Sequence, residues 1–479
     1  MPSISDQLRE RLGAESVLVA PAQMASYLTD YRALYHGRAA AVVLPHTVEQ
    51  VSRTLAFCNE HRIGVVPQGG NTGYCGGAAP DESGRQVVLA LARLNQIRSL
   101  DSAGYTVIAE AGCLLQSLQR AADEAERYFP LSLGSEGSCQ LGGNLSTNAG
   151  GVHVLRYGMM RDLVLGLEVV LADGRVLSSL SPLRKDNTGY DVKSLFLGAE
   201  GTLGVITAAS LKLYPKVRNV ATAFLAVPDV SAALALLGEL REASADLLSS
   251  FELIPRIGVE LAVRHIHGVV DPLGAPYPWY VLCELAASRG EEPLAEGLEK
   301  VLASALERGR VLDAVVAQSE RQRAQFWRLR ENIPEAQRLE GASLKHDVSV
   351  PVGRLPEFVA RGGEWVHAHV PDGRLVAYGH LGDGNLHFNV SQLPGADAAA
   401  FGARGPAVMR AIHDLVREFG GSFSAEHGIG RLKVAELERY ASSVELDLMR
   451  SIKRAFDPQG ILNPGKVLRE QHSPAQESA

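Results

Sequence analysis

A chain of 479 residues is too long for one hydrophobic core and predicts two or three domains. With 46% hydrophobic and 21% charged residues it has the composition of an ordinary soluble globular protein, and it contains no run of about 18 apolar residues that would span a membrane. A net charge of −7 argues against a general nucleic-acid binder. The cysteines (Cys58, Cys75, Cys113, Cys139, Cys283) are odd in number and lack C-x-x-C spacing, which fits a reducing, cytoplasmic setting without disulfides.

The N-terminal M-P-S-I-S-D-Q-L-R-E-R-L carries acids early and no apolar core, so it reads as a short helix rather than a targeting peptide. Ala40–Pro45 is a buried-strand pattern. Thr47 and Gln50 then form a capping box, and Val48, Val51, Leu55 and Cys58 recur at helical spacing, which predicts a helix over Thr47–His61. A strand at Ile63–Pro67 runs into Q-G-G-N-T-G-Y-C-G-G (68–77), whose glycines let backbone N–H groups approach an anion closely. The spacing is not G-x-G-x-x-G, so no Rossmann fingerprint is present. Leu131–Gly151 is a second glycine-rich block, nearly uncharged and rich in hydroxyls. It is suited to wrapping a polar ligand with backbone or to forming tight turns between subdomains. Leu163–Val170 and Arg175–Leu180 bracket Ala172-Asp173-Gly174 as a β-hairpin, and a third glycine block, G-A-E-G-T-L-G (198–204), precedes a strand at Val205–Leu211.

Composition shifts after Leu213–Lys216. Helices are expected at Val230–Ala245 and Glu292–Arg308, and a strand at Pro278–Ala286. Tyr378–Val390 reads Y-G-H-L-G-D-G-N-L-H-F-N-V, with Asp383-Gly384 as a two-residue hairpin signal. Closing the turn there sets Gly382 opposite Asn385, Leu381 opposite Leu386 and His380 opposite His387. The imidazoles would then share one sheet face, with Asn389 two residues further along it. Glu426, in S-A-E-H-G-I-G, could supply a carboxylate, and His427 would follow it into the site. Two histidines and a carboxylate suit Zn²⁺, with Mn²⁺ or Fe²⁺ as alternatives.

The blocks Gly134–Gly151, Gly166–Val176 and Lys185–Thr207, the histidine hairpin and E-H-G-I-G together resemble the flavin-dependent 2-hydroxy-acid dehydrogenases of the vanillyl-alcohol-oxidase-type FAD fold, above all the D-2-hydroxyglutarate dehydrogenases. The resemblance covers roughly residues 38–467. It implies an α+β chain: an FAD-binding domain of two subdomains (1–217), an α+β substrate cap carrying the metal hairpin (218–420), and a C-terminal segment (421–479) that carries Glu426-His427 back to the FAD domain. In such a family Pro67, Gly69, Gly70, Asn71, Thr72 and Gly73 would hold the pyrophosphate. Gly134, Ser138, Gly142, Gly143, Thr147, Asn148 and Gly150 would lie along the dinucleotide. Glu200, Gly204 and Ile206 would approach the adenine end, and Asn463 the isoalloxazine. Relatives with covalent flavin carry a His where Asn71 stands, so noncovalent FAD is expected.

The resemblance also implies that Arg330 and Lys345 grip a substrate carboxylate far from the reacting carbon. Lys345, Asp347 and Ser349 alternate on a strand-like run, and Pro334 replaces a threonine expected four residues after Arg330. A monocarboxylate would strand such cations, at a cost on the order of 2–5 kcal/mol for a buried one. In the expected chemistry His380 and His387 with Glu426 hold the metal against the substrate hydroxyl. Asn389 contacts the reacting end, His427 is the general base, and flavin N5 receives the hydride. D-lactate or glycolate dehydrogenase is the alternative within this group. A non-catalytic FAD-binding partner subunit would be expected to lose the hairpin or E-H, and a non-haem iron oxygenase would not need three glycine-rich loops. The electron acceptor (an electron-transfer flavoprotein, a quinone or oxygen) and a homodimeric state are left open by the sequence.

Overall fold

The computed structural model describes residues 2–469, which divide into two compact units. The polar tail beyond Arg469, expected to fray, lies outside the described residues. The first unit contains the N-terminal residues to Gly150, Met159–Pro215, and the chain from Glu426 onward; the second contains Gly151–Gly158 and Lys216–Ala425. This corrects the expected division at two places. The short helix Val154–Tyr157 belongs to the second unit, where Leu155 occupies the space beside Gly382 and the Arg156 guanidinium donates to the Ala286 carbonyl. Residues 421–425 stay there too, because Ser349 and Ser422 exchange backbone hydrogen bonds (2.9 and 2.8 Å) and the Ala425 N–H donates to the Asp347 carbonyl at 3.3 Å.

The first unit is built on two sheets. One is four-stranded, in the order Val17–Leu18, Ala41–Val43, Val87–Ala90, Val65–Gln68, with its last three strands parallel. Crossing between parallel strands is the job of the helix Val48–Glu60. It starts where expected, with the Thr47 hydroxyl accepting from the Gln50 N–H, but the Gln50 side chain caps the His46 N–H rather than that of Thr47. The other sheet is five-stranded and antiparallel, and contains the hairpin Val164–Val170/Val176–Ser179. Gly174 closes that hairpin at φ +87° against the Ser52 carbonyl, where a Cβ would come within 2.8 Å.

The second unit carries an eight-stranded sheet. Its strands run in the order Asp313–Val316, Asn219–Val227, Trp279–Ala287, Leu248–Pro255, Gly373–His380, Asn385–Gln392, and both Ser343–Leu344 and Asp347–Ser349 pair with the far side of Asn385–Gln392. Helices Val230–Ala243 and Leu294–Glu307 bury their leucines in one continuous core with this sheet. Strand Leu248–Pro255 is buried at every position, so both of its faces are covered.

The histidine hairpin differs in register from the sequence expectation. Tyr378, not His380, is the partner of His387, and Ala377 pairs with Phe388. Instead of a two-residue turn, a 3₁₀ turn at Leu381–Asp383 leads into Gly384 at φ +89°. His380 pairs on its other side with Glu252 of Leu248–Pro255. A slip of two residues preserves side-chain parity, so both imidazoles still lie on one face, with ring centroids 5.7 Å apart.

Candidate active site

In the first unit the two glycine-rich blocks meet and enclose a cleft. Residues 67–73 form one wall, while Gln140, Gly142, Gly143 and Thr147 form much of the other. The close approach requires glycine at 70, where a Cβ would sit 2.2 Å from the Ser138 carbonyl oxygen. At Gly73 and Gly143 a Cβ would meet nothing within 4 Å, so the packing of the cleft walls does not itself require glycine there. The Gln140 Oε1 is buried without a hydrogen-bond partner, an acceptor waiting for a ligand N–H or hydroxyl. A cleft of backbone amides, with an orphaned acceptor and almost no charge, fits a dinucleotide. Asn71 takes φ +53°, a conformation asparagine tolerates, and its Nδ2 donates to the Thr29 carbonyl at 2.8 Å.

Glu200, Gly204 and Ile206 also line the cleft; Gly134, Ser138, Asn148, Gly150 and Asn463 do not. Several of these residues brace the loops. Asn148 accepts the Arg161 N–H at 2.8 Å. Asn463, buried at φ +43°, donates to the carbonyls of Gly77 (2.9 Å) and Glu200 (2.8 Å), tying together two loops of the cleft wall. The half-buried Glu200 carboxylate accepts the N–H groups of Ile429 (2.7 Å) and Gly430 (2.8 Å). Burial pushes its carboxyl above the ordinary value, with those two N–H groups and Lys433 acting against the rise. Glu200 thereby fixes the turn of E-H-G-I-G, in which Gly428 and Gly430 both have positive φ. His427 lines the cleft, its ring 4.6 Å from that of Tyr74. Sequence reasoning missed Tyr74, although it stands inside the first glycine block.

The second unit gathers the histidine hairpin with three carboxylates. The Nδ1 of His380 lies 2.7 Å from Glu252 Oε1, and the Nδ1 of His387 faces Asp347 Oδ1 at 3.9 Å. The first contact is a hydrogen bond that engages Nδ1 of His380; the second is longer than a hydrogen bond. Asp347 is itself held by the Asn385 amide at 2.9 Å. Burial pushes the Asp383 carboxyl up to about 6; His380 works against that rise, while Glu252 and Asp347 add to it. Two imidazoles amid an excess of buried acids form a donor set suited to a divalent cation. Glu426 is the residue after Ala425, which is hydrogen-bonded to the Asp347 carbonyl, and Asp347 in turn is the strand partner of His387.

Arg330 already has an acidic partner within the unit. It lies buried at the end of helix Glu320–Glu331, its Nε and Nη2 both 2.7 Å from Glu252 Oε2 and its guanidinium 4.9 Å from the centre of the Tyr378 ring. Burial alone would raise the Glu252 carboxyl, but His380 and Arg330 together bring it down to about 2. Lys345 is exposed, in a break between two short strands whose register against Asn385–Gln392 runs unbroken. That register sets it opposite Asn389 and on the same face as Asp347 and His387. The Asn389 amide is engaged within the unit, accepting the His346 N–H at 3.1 Å and donating to Gln337 Oε1 at 3.1 Å. Pro334 occupies the first turn of helix Ile333–Glu340, where its missing N–H costs no hydrogen bond.

Comparison with known proteins finds a family model for each part of the chain. The family model for the FAD binding domain matches residues 39–179, and that for the C-terminal domain of FAD linked oxidases matches residues 216–467. D-2-hydroxyglutarate dehydrogenase, mitochondrial, of Arabidopsis thaliana is 41% identical over 465 residues, covering 96% of this chain and 80% of its own. D-2-hydroxyglutarate dehydrogenase of Stutzerimonas stutzeri (strain A1501) is 35% identical over 469 residues, covering 97% and 99%. Among solved structures, p-cresol methylhydroxylase with substrate bound superposes with a TM-score of 0.76 at 18% identity, over 97% of this chain and 96% of that one. The fold is therefore the α+β fold of the vanillyl-alcohol-oxidase-type FAD enzymes. The chain belongs to the D-2-hydroxyglutarate dehydrogenase family of FAD-linked oxidoreductases.

Proposed function

We propose that this FAD-linked D-2-hydroxyacid dehydrogenase oxidises D-2-hydroxyglutarate to 2-oxoglutarate, with a divalent metal, Zn²⁺ by preference, held by His380, His387 and Glu426. The observation that carries the reading is the pair of imidazoles, 5.7 Å apart between ring centroids, set among the carboxylates of Glu252, Asp347 and Asp383. Bound FAD supplies the hydride acceptor, and a bound cation supplies Lewis acidity toward the substrate hydroxyl. His427, beside Tyr74 on the wall of the flavin cleft, is the base that receives the hydroxyl proton. Five buried free cysteines support a reducing, cytoplasmic setting. Among the described residues no helix is long and apolar enough to cross a membrane. An electron-transfer flavoprotein or a quinone is the acceptor class we propose.

Choice of a diacid rests on Lys345 more than on Arg330. Glu252 already balances Arg330, so a monocarboxylate does not strand that charge. To Lys345 we assign one charge-assisted hydrogen bond to the distal carboxylate, worth about 1.5–3 kcal/mol. That corresponds to roughly 10- to 100-fold in kcat/KM at 1.4 kcal/mol per decade. In anaerobic mixing, D-2-hydroxyglutarate should bleach the flavin faster than D-lactate by about that factor, and Lys345→Met should remove the advantage by slowing the diacid alone. Equal rates for the two acids, or equal slowing of both in Lys345→Met, would return the chain to the D-lactate or glycolate class.

The metal and His427 are tested together. Exhaustive chelation should abolish turnover while the flavin stays bound, because no metal ligand lines the glycine-rich cleft. His427→Asn should lower kcat by about 10²–10⁴-fold with metal and flavin retained. Full activity of the metal-free protein removes the Lewis-acid role, and a near-normal rate in His427→Asn removes the base.

Two experiments address the cofactor. Flavin is noncovalent in this reading, supported by Asn71, and acid precipitation should leave the yellow colour in the supernatant; colour retained in the pellet contradicts it. Gly70→Ala should purify with little flavin, since the added Cβ meets the Ser138 carbonyl, whereas Gly73→Ala should keep a normal flavin ratio. Equal flavin content in the two variants would mean that the glycine walls do not set cofactor binding.

A further inference from the structure

Five side chains of the second unit form a ring, and one of them is a buried carboxylate. Glu252 Oε1 meets His380 at 2.7 Å and Glu252 Oε2 meets Arg330 at 2.7 Å. Arg330 lies over the Tyr378 ring, the Tyr378 ring is 5.0 Å from that of His387, and His387 returns to His380 at 5.7 Å between centroids. Glu252 is 1% exposed, on a strand buried on both faces, and its backbone is the register partner of His380. The two side chains are therefore set side by side by the sheet itself. A carboxylate buried so fully is tolerated only when its charge is matched, and here each oxygen has its own partner.

We propose that Glu252 is a positioning residue that serves the metal and the substrate at once, one oxygen fixing the tautomer and ring orientation of His380 and the other fixing the guanidinium plane of Arg330. The Oε1 contact keeps the proton on Nδ1 and directs Nε2 of His380 outward. The Oε2 contact spends Nε and one edge of the Arg330 fork, so only the remaining guanidinium N–H groups can reach an anion, and only from one direction. Neither arm touches the reacting atoms. The inference rests on the metal reading above.

The test is Glu252→Gln in the flavin-loaded protein, with zinc affinity measured by competition against a chromophoric chelator. Glutamine keeps the shape but presents an N–H₂ where one of the two donors now points. Zinc affinity should fall about 10- to 100-fold, the usual effect of removing an acid behind a ligating histidine. KM for D-2-hydroxyglutarate should rise more than that for D-lactate, and flavin content should not change. If the single variant does not fold, Arg330→Met is compared with the double variant Glu252→Gln/Arg330→Met, in which no buried charge is left unmatched. The double variant should then bind zinc about 10- to 100-fold more weakly than Arg330→Met. Wild-type zinc affinity in Glu252→Gln, or equal affinity in the Arg330→Met pair, overturns the proposal. A wild-type protein that binds no zinc overturns the metal reading itself, a result distinct from both.

Discussion

The arrangement of the second unit depends on one matched charge. An isolated carboxylate as deeply buried as Glu252 would cost several kcal/mol and would protonate instead. The sheet supplies a histidine on the neighbouring strand and the helix Glu320–Glu331 supplies an arginine, so the acid stays ionised. The same electrostatic need that keeps Glu252 charged brings a hairpin residue and a helix residue to one point. The unit builds its polar centre by satisfying a buried ion, with the functional groups as the satisfying partners.

The first unit works by different physics. Its cleft is made of backbone, and the charged groups around it serve to hold loops. Glu200 pins the return segment, Asn463 ties Gly77 to Glu200, and Lys453 reaches the carbonyls of Thr202 and Leu462 at 2.8 Å each. A large ligand is thus met by rigid amides, and His427 of the return segment stands on the same wall.

Much of this was legible in the sequence because it rests on local rules. The strands and helices followed from periodicity, the Asp173-Gly174 hairpin from its turn residues, and the cleft from glycine density. The histidine pair was placed on the right face through the wrong register, since a two-residue slip leaves parity unchanged. The turn rule failed at Asp383-Gly384 because His380 is claimed by strand pairing with Glu252, a contact 128 residues distant in sequence. Glu252 itself left one unused signal: a lone acid in S-S-F-E-L-I-P, a run apolar enough to be buried on both sides, must have a cationic partner. The bracing roles of Asn148, Asn389 and Asn463 left none, because an asparagine that lines a cleft and one that ties its loops look alike in sequence.

Residues 461–463 have a consequence for how this protein is made. The backbones of Val65 and of Ile461–Asn463 are hydrogen-bonded at 2.7 and 2.8 Å, so the N-terminal sheet gains an edge from the end of the chain. Lys216–Ala425 is synthesised between them and can form its own sheet in one piece. At ribosomal rates of about 5–20 residues per second, the span from Pro215 to Asn463 takes roughly 10–50 s. During that interval the strand Val65–Gln68 has one open edge and the cleft wall lacks its ties to Asn463. The flavin-binding unit, first to leave the ribosome, is therefore the last to be completed, and the nascent chain must keep an unsealed sheet from pairing elsewhere while the other unit folds.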